Sequence, residues 1–251
     1  MSEYLFRRNT VLEVLRANRR TLFRLLLQKD ARHLDDIVLA ARKRDLPIET
    51  VPKEKLSNLI KDGSHQGVVI EVGAYLYSSV EEMLASADTR SEMPLLLLLD
   101  LLHGPQNIGM LLRAAEACGV HGVILQDRRA PDITPQVVIY SAGAAEHLHI
   151  AQVTNLVQTI KTLQNQNVWI AGLARDDEAQ LLGQIDLNLP LGIVVGHEGS
   201  GLRRLVRESC DFLVELPMRG AVSSLNASTA GAVALYMAWQ ARGFQSMPEK
   251  K

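Results

Sequence analysis

Cysteine is nearly absent: the 251 residues hold two, Cys118 and Cys210, far apart and outside any CxxC pair. That excludes a disulfide framework and a structural zinc centre, and it fits a reducing cytoplasm. No sign of charge dominates, since 27 Lys and Arg face 28 Asp and Glu. Overall charge therefore neither demands nor excludes a nucleic-acid partner. Long apolar runs are missing too. The longest, residues 95–102, follows Pro94 and is broken by Asp100, far short of the roughly 20 residues a membrane span needs; it reads as a buried strand. Residues 1–8 hold no apolar stretch, so no secretory signal is expected. With 47% apolar and 22% charged residues, the composition is that of a globular protein with one large domain or two unequal ones.

What is present is alternation. Residues 1–73 read as a small α/β unit. Helical spacing over 9–18, with Asn9 or Thr10 as N-cap, is followed by a strand over 22–27, a helix over 34–44 and a strand over 47–51. A short helix at 53–61 and a β-branched strand at 67–72 close the unit. Its first 24 residues carry six arginines, Arg7, Arg8, Arg16, Arg19, Arg20 and Arg24, against Glu3 and Glu13. Such a segment is either a solvated helix face or a phosphate-contacting surface. Few aromatics accompany it, so base stacking is not signalled.

Residues 74–93 read as a linker with a short helix near 80–87. Residues 94–245 read as the larger domain: strands at 95–99, 122–125, 169–172, 191–195 and 212–216, with helices at 108–118, 153–165, 201–210 and 226–243. Continuous apolar strands alternating with helices predict a parallel sheet covered on both faces, with ligands at the carboxyl ends of its strands. The tail 246–251 is expected to be disordered.

The segment Gly196-His197-Glu198-Gly199-Ser200-Gly201 joins a strand to a helix and invites a nucleotide-binding reading. It lacks the Lys-Ser/Thr of a Walker loop, having Leu202-Arg203 instead. Arg204 stands where a dinucleotide fingerprint needs a small residue. His197-Glu198 lacks the second histidine of a zincin, and Ser200 lacks the glycines of a nucleophile elbow.

Three segments carry a resemblance. The first runs from Leu99-Asp100-Leu101-Leu102-His103-Gly104-Pro105-Gln106-Asn107-Ile108-Gly109 through Arg113 to Gly119. The second is 193–202, around the glycine-rich loop. The third is Leu216-Pro217-Met218 with Val222-Ser223-Ser224-Leu225-Asn226-Ala227-Ser228. In order, spacing and context they are similar to motifs 1, 2 and 3 of the SpoU (TrmH-like) family of RNA ribose 2′-O-methyltransferases, in the SPOUT superfamily. Arg8-Asn9-Thr10-Val11-Leu12-Glu13 and Ser64-His65-Gln66-Gly67 resemble the family's N-terminal, L30e-like substrate-binding domain. Residues 141–148 resemble the bacterial branch that methylates a guanosine of 23S-type ribosomal RNA.

The resemblance implies an α/β fold: a parallel sheet with a C-terminal trefoil knot, preceded by a small L30e-like domain. It implies S-adenosylmethionine as cofactor, no metal, RNA as substrate, a homodimer through the knotted domain and a cytoplasmic location. Transfer of a methyl group from a sulfonium needs no metal, because the leaving group is good; the ribose hydroxyl is the weak partner. Arg113 matches the arginine placed at that hydroxyl. An arginine stays protonated, so orienting the hydroxyl and a phosphate is the role it can fill. Asn107, Glu198, Ser224 and Asn226 match the other polar positions, with Glu198 expected to hydrogen-bond Arg113, and with Asn107 and Asn226 also suited to capping helices. Gly196, Leu216, Met218, Leu225 and Ala227 match the cofactor pocket. Arg7, Arg8, Asn9, Arg16, Arg19 and Arg20 become candidate RNA contacts. Two positions depart from the pattern: Gly104 replaces the usual aspartate before proline, and Arg7 replaces a glycine.

Two alternatives remain at this level: the same chemistry on transfer RNA or another ribosomal RNA site, and a non-catalytic RNA-binding or ribosome-assembly factor, which damaged motifs would favour. A generic metabolite-binding α/β protein would leave the three motifs and the basic segment unexplained.

Overall fold

The computed structural model describes residues 2–60, 63–127, 132–222 and 224–245; the expected disordered tail lies outside them. The chain divides into two compact units, residues 1–76 with 133–147, and residues 77–132 with 148–251.

The first unit opens with β1 (Glu3–Phe6), α1 (Arg8–Ala17), β2 (Leu22–Gln28), α2 (Asp35–Arg42), β3 (Ile48–Val51), α3 (Lys53–Leu59) and β4 (Val68–Val72). Its sheet has the order β1-β4-β2-β3, with β4 antiparallel to both β1 and β2, and β3 parallel to β2. Helix α1 begins at Arg8 with Arg7 as its cap residue and no side-chain cap bond. The caps expected at Asn9 or Thr10 are therefore not used. Arg7 adopts φ 74°, backbone that favours glycine, which gives its replacement of a family glycine a physical meaning.

The second unit starts with α4 (Val80–Arg90), β5 (Leu95–Leu99), α5 (Pro105–Ala117) and β6 (Gly122–Gln126). The chain then leaves for α6 (Pro135–Tyr140) and a 3₁₀ turn at Ala144–Glu146. It returns with β7 (Ile150–Val153), α7 (Leu156–Gln164), β8 (Trp169–Leu173), β9 (Gln180–Leu181), β10 (Leu191–Val195), α8 (Arg204–Glu208), β11 (Phe212–Glu215) and α9 (Ala227–Ala241). All the pairings in the sheet are parallel, in the order β7-β6-β5-β10-β8-β11-β9. Strands β5, β6 and β10 are buried along their whole length, as their unbroken apolar runs predict.

The structure differs from the expected division in two segments. Helix α4 is no linker: Ser79 and Glu82 form a capping box, and Met83 and Ala87 are buried in the second unit. Residues 133–147 pack with the first unit instead of the second. Ile139 joins the cluster of Phe6, Leu26 and Val69. Glu146 is fully buried and meets Arg20, with Nη2–Oε1 2.7 Å and Nε–Oε2 3.1 Å. The Arg20 guanidinium also donates to Glu3 at 2.7 Å and lies 4.8 Å from the Tyr75 ring. A Cβ on Gly143 would come within 2.6 Å of the Glu13 Cβ, so this turn sits tight on α1. The 141–148 signature thus builds a docking joint within the first unit.

Candidate functional site

A cleft of about 680 Å³ opens at the carboxyl ends of β8, β10 and β11. This is the end where parallel sheets bind ligands. All five residues expected at the cofactor, Gly196, Leu216, Met218, Leu225 and Ala227, line it, as do Glu198 and Ser224. Leu216, Met218 and Leu225 give it apolar walls, while the 196–201 loop offers backbone groups.

The loop's shape follows from its glycines. A Cβ on Gly196 would lie 2.5 Å from the Gly201 carbonyl and 2.7 Å from the Leu202 nitrogen. Only glycine lets β10 run that close to its own returning chain. Two hydrogen bonds close the loop, His197 N to Gly201 O at 3.1 Å and Gly201 N to His197 O at 2.9 Å. The His197 Nδ1 accepts from the Gly199 N–H at 3.0 Å. Close approach at Gly196 is thus required by the chain itself, before any ligand.

The foot of the loop is held by a residue outside the site named from the sequence. Asp100 ends the apolar run of β5 and is fully buried. It accepts from the Arg203 backbone N at 2.7 Å and from Arg203 Nε at 2.6 Å, and Arg203 Nη2 reaches Gln126 Oε1 at 2.6 Å. Charge-assisted bonds of this kind offset the cost of burying a carboxylate. The signal was a lone aspartate interrupting leucines.

Three of the five polar candidates meet in one network. Asn226 caps α9: its Oδ1 accepts from the N–H groups of Ser228 at 2.9 Å and Thr229 at 3.3 Å, and from the Ser228 hydroxyl at 2.6 Å. Those donors fix the amide, so its Nδ2 must donate outward. It does so to Glu198 Oε1 at 2.8 Å and to Asn107 Oδ1 at 3.1 Å. Asn107 in turn donates from Nδ2 to Glu198 Oε2 at 3.1 Å. Glu198 therefore stands at the end of a directional chain as a double acceptor. The network ties the starts of α5 and α9 to the 196–201 loop.

Two expectations about this network are corrected. Asn107 is not a helix cap. Gly104 holds that position at φ 85°, where glycine needs no side-chain bond to fit, and this accounts for the departure from aspartate. Arg113 does not meet Glu198, whose oxygens both face asparagine amides. Six residues at about 100° each put Arg113 roughly 120° around α5 from Asn107. It is exposed and has no ion pair among the described residues. Ser224 is an exposed part of the cleft wall.

The arginine candidates for RNA divide. Arg20 is sequestered in its buried ion pair, and burial excludes it as a contact. Arg16 pairs with Glu13 at 2.6 Å, and Arg24 pairs with Glu71 at 2.7 Å and Glu49 at 3.0 Å. Arg8 donates to carbonyls of Gln66 and Arg32. Arg7 and Arg19 are half-buried, and Asn9 is exposed.

Comparison with known proteins gives two family matches. Residues 94–236 match the SpoU rRNA Methylase family, and residues 4–78 match the RNA 2′-O ribose methyltransferase substrate binding family. YacO of Bacillus subtilis, assigned by name to the TrmH family of tRNA/rRNA methyltransferases, is 38% identical over 245 residues, covering 96% of each chain. Among solved structures, the SpoU methyltransferase AviRb from Streptomyces viridochromogenes, in complex with AdoMet, aligns with TM-score 0.78 and 23% identity over 97% of this chain and 91% of its own. An AdoMet-bound rRNA methyltransferase from Sinorhizobium meliloti aligns with TM-score 0.75 and 20% identity, over 95% and 87% of the two chains. Both share the fold.

Proposed function

The chain belongs to the SpoU rRNA methylase family, and on that premise we propose that it methylates a ribose 2′-hydroxyl of 23S-type ribosomal RNA, at a guanosine. The observation that carries the methyl-transfer chemistry is the Asn107–Glu198–Asn226 network beside a cleft of cofactor size; the choice of substrate rests on the resemblance of residues 141–148.

The cleft fits S-adenosylmethionine: Leu216, Met218 and Leu225 suit an adenine and a thioether chain, and the loop backbone suits the polar groups. That cofactor supplies an electrophilic methyl group on a sulfonium. The protein's own residues then have one task, to hold a ribose hydroxyl in line with that methyl. Ser224, exposed on the cleft wall, offers its hydroxyl to the ribose, while Asn107 and Asn226, whose amide hydrogens are already committed, hold the loop and the helix starts around it. Glu198 keeps both amides oriented. Arg113, always charged, is exposed outside this network, and its role in orienting the hydroxyl and a neighbouring phosphate rests on the family resemblance.

The homodimer belongs to the same reading. Val233, Tyr236, Met237 and Phe244 leave an apolar groove of about 300 Å³ along α9, the kind of face a second copy covers. So does the knot: α9 returns against α5 and β10, as a threaded C-terminal segment would. The free thiols Cys118 and Cys210 suit a cytoplasmic location.

The test is methyl transfer from labelled S-adenosylmethionine to unmodified 23S-type, 16S-type and transfer RNA, kept separate. Incorporation into 23S-type RNA, mapped to a ribose 2′-oxygen, is the expected result. Label confined to transfer RNA would overturn the substrate. Absence of both label and cofactor binding would favour a non-catalytic RNA-binding factor.

A further inference from the structure

Much of the basic N-terminal segment is neutralised internally, since Arg16, Arg20 and Arg24 all face carboxylates. Cations without a carboxylate partner among the described residues gather at the start of that segment and on α3. They border a polar pocket of about 460 Å³ that Arg8, Lys53, Ser57 and His65 help to line. Among the described residues the Arg8 guanidinium has only carbonyl partners, Gln66 O at 3.3 Å and Arg32 O at 2.8 Å, and no carboxylate cancels its charge there. Arg7 belongs to the rim: a Cβ on Gly63, which lines the pocket, would stand 3.9 Å from Arg7 Nη2.

The wall is built at a conformational cost. Gln66 at φ 54° and Arg7 at φ 74° occupy backbone that favours glycine. Gln66 is locked there, because its Oε1 accepts from the Arg8 backbone N at 3.0 Å. Strain of this kind gathers at ligand clamps. His65 is equally fixed: its Nδ1 accepts from the Gly67 N–H at 3.0 Å, which leaves the ring hydrogen on Nε2, 3.4 Å from the Ser57 hydroxyl. Burial, with Lys53 nearby, pushes the His65 pKa down, so it is a neutral donor. Among the described residues no Phe, Tyr or Trp lines the pocket, which points away from base stacking.

We propose that this pocket, and not the paired Arg16, Arg20 and Arg24 further along the segment, binds a phosphodiester of the RNA substrate. Arg8 and Lys53 supply the charge, and Ser57 with His65 supplies neutral hydrogen bonds to the oxyanion. The inference rests on the reading of this protein as an RNA-modifying enzyme, and it assigns where the first unit grips the RNA backbone.

The experiment measures binding of unmodified 23S-type RNA against salt for the full-length protein, Lys53→Gln and Arg16→Gln, with methyl transfer recorded in parallel. Each phosphate contact contributes about 0.7–0.9 to the slope of log affinity on log salt. Lys53→Gln is expected to lower the slope by about that amount, so a rise from about 50 to about 200 mM salt costs roughly threefold less affinity than in the parent. Arg16→Gln is expected to keep the parent slope. An unchanged slope in Lys53→Gln, or an equal drop in Arg16→Gln, overturns the proposal. Inorganic phosphate, titrated while the His65 ring resonances are followed by NMR, separates the sources: resonances that move with phosphate but not with RNA would make this a small-anion site and overturn it as well. Methyl transfer with no slope change sinks this inference alone, whereas a slope change with no methyl transfer sinks the enzymatic reading alone.

Discussion

Replacing Glu198 by glutamine tests the polar network at its directional end. Asn226 cannot turn its amide, because two backbone N–H groups and the Ser228 hydroxyl hold its Oδ1. Its Nδ2 and that of Asn107 therefore both point donors at residue 198. A glutamine offers one oxygen and one NH₂ group, so one donor meets another donor. The loss is one charge-assisted hydrogen bond and the weakening of a second to a neutral one. Buried, such bonds are worth about 1.5–3 kcal/mol against about 1 kcal/mol for neutral ones. Glu198 is exposed, which puts the total near the low end, about 2 kcal/mol. At about 1.4 kcal/mol per factor of ten, kcat/KM falls roughly thirtyfold. Glu198→Ala admits water to both donors and is expected to be no worse than Glu198→Gln. The assay is initial-rate methyl transfer, with cofactor affinity by calorimetry and melting temperature as a check on folding. Activity of Glu198→Gln within about threefold of the parent would refute the directional argument.

Glu146→Gln removes one of the two carboxylates facing Arg20 and leaves Glu3 to balance it, so the loss expected in urea unfolding is that of a charge-assisted hydrogen bond, about 2 kcal/mol; a change under about 0.5 kcal/mol would mean that the joint carries no weight. Arg7→Gly relieves backbone strain of about 1–3 kcal/mol and adds about 0.5–1 kcal/mol of freedom to the unfolded chain, so the melting temperature should rise while RNA affinity falls. A lower melting temperature would contradict the strained φ. Burial pushes the pKa of His121, and of His65, below 6.5. The unfolded chain then takes up these protons first, so stability is full above pH 6.5 and drains as pH falls below it, by up to about 1.4 kcal/mol per pH unit for each group. Urea midpoints that stay level between about pH 7.5 and about pH 5.5 would exclude this.

The central strands were legible because each is an apolar run too short for a helix: β5, β6 and β10 lie where residues 95–99, 122–125 and 191–195 predict. The cleft residues were legible through the resemblance of 99–119, 193–202 and 216–228 to three family motifs, not through the periodicity of strands and helices. Edge elements were not. Strand β1 is four residues beside an arginine pair, and β7 merges in sequence with the helix after it, so the pattern read as one helix from 153. Arg20 read as surface charge because its partner, Glu146, lies 126 positions along the chain. Only the tertiary fold could separate Arg20 from its exposed neighbour Arg16.

The joint between Glu146 and Arg20 also sets a timetable for synthesis. The first unit cannot finish folding when residue 76 has been made, because α6 and the Gly143–Glu146 turn are still missing. At about 5–20 residues per second, the ribosome needs roughly 4–14 seconds more to reach residue 147. Throughout that interval Arg20 has Glu3 but not Glu146, and the cluster of Phe6, Leu26 and Val69 waits for Ile139. All four strands of the first sheet are therefore translated well before the segment that completes one side of their core.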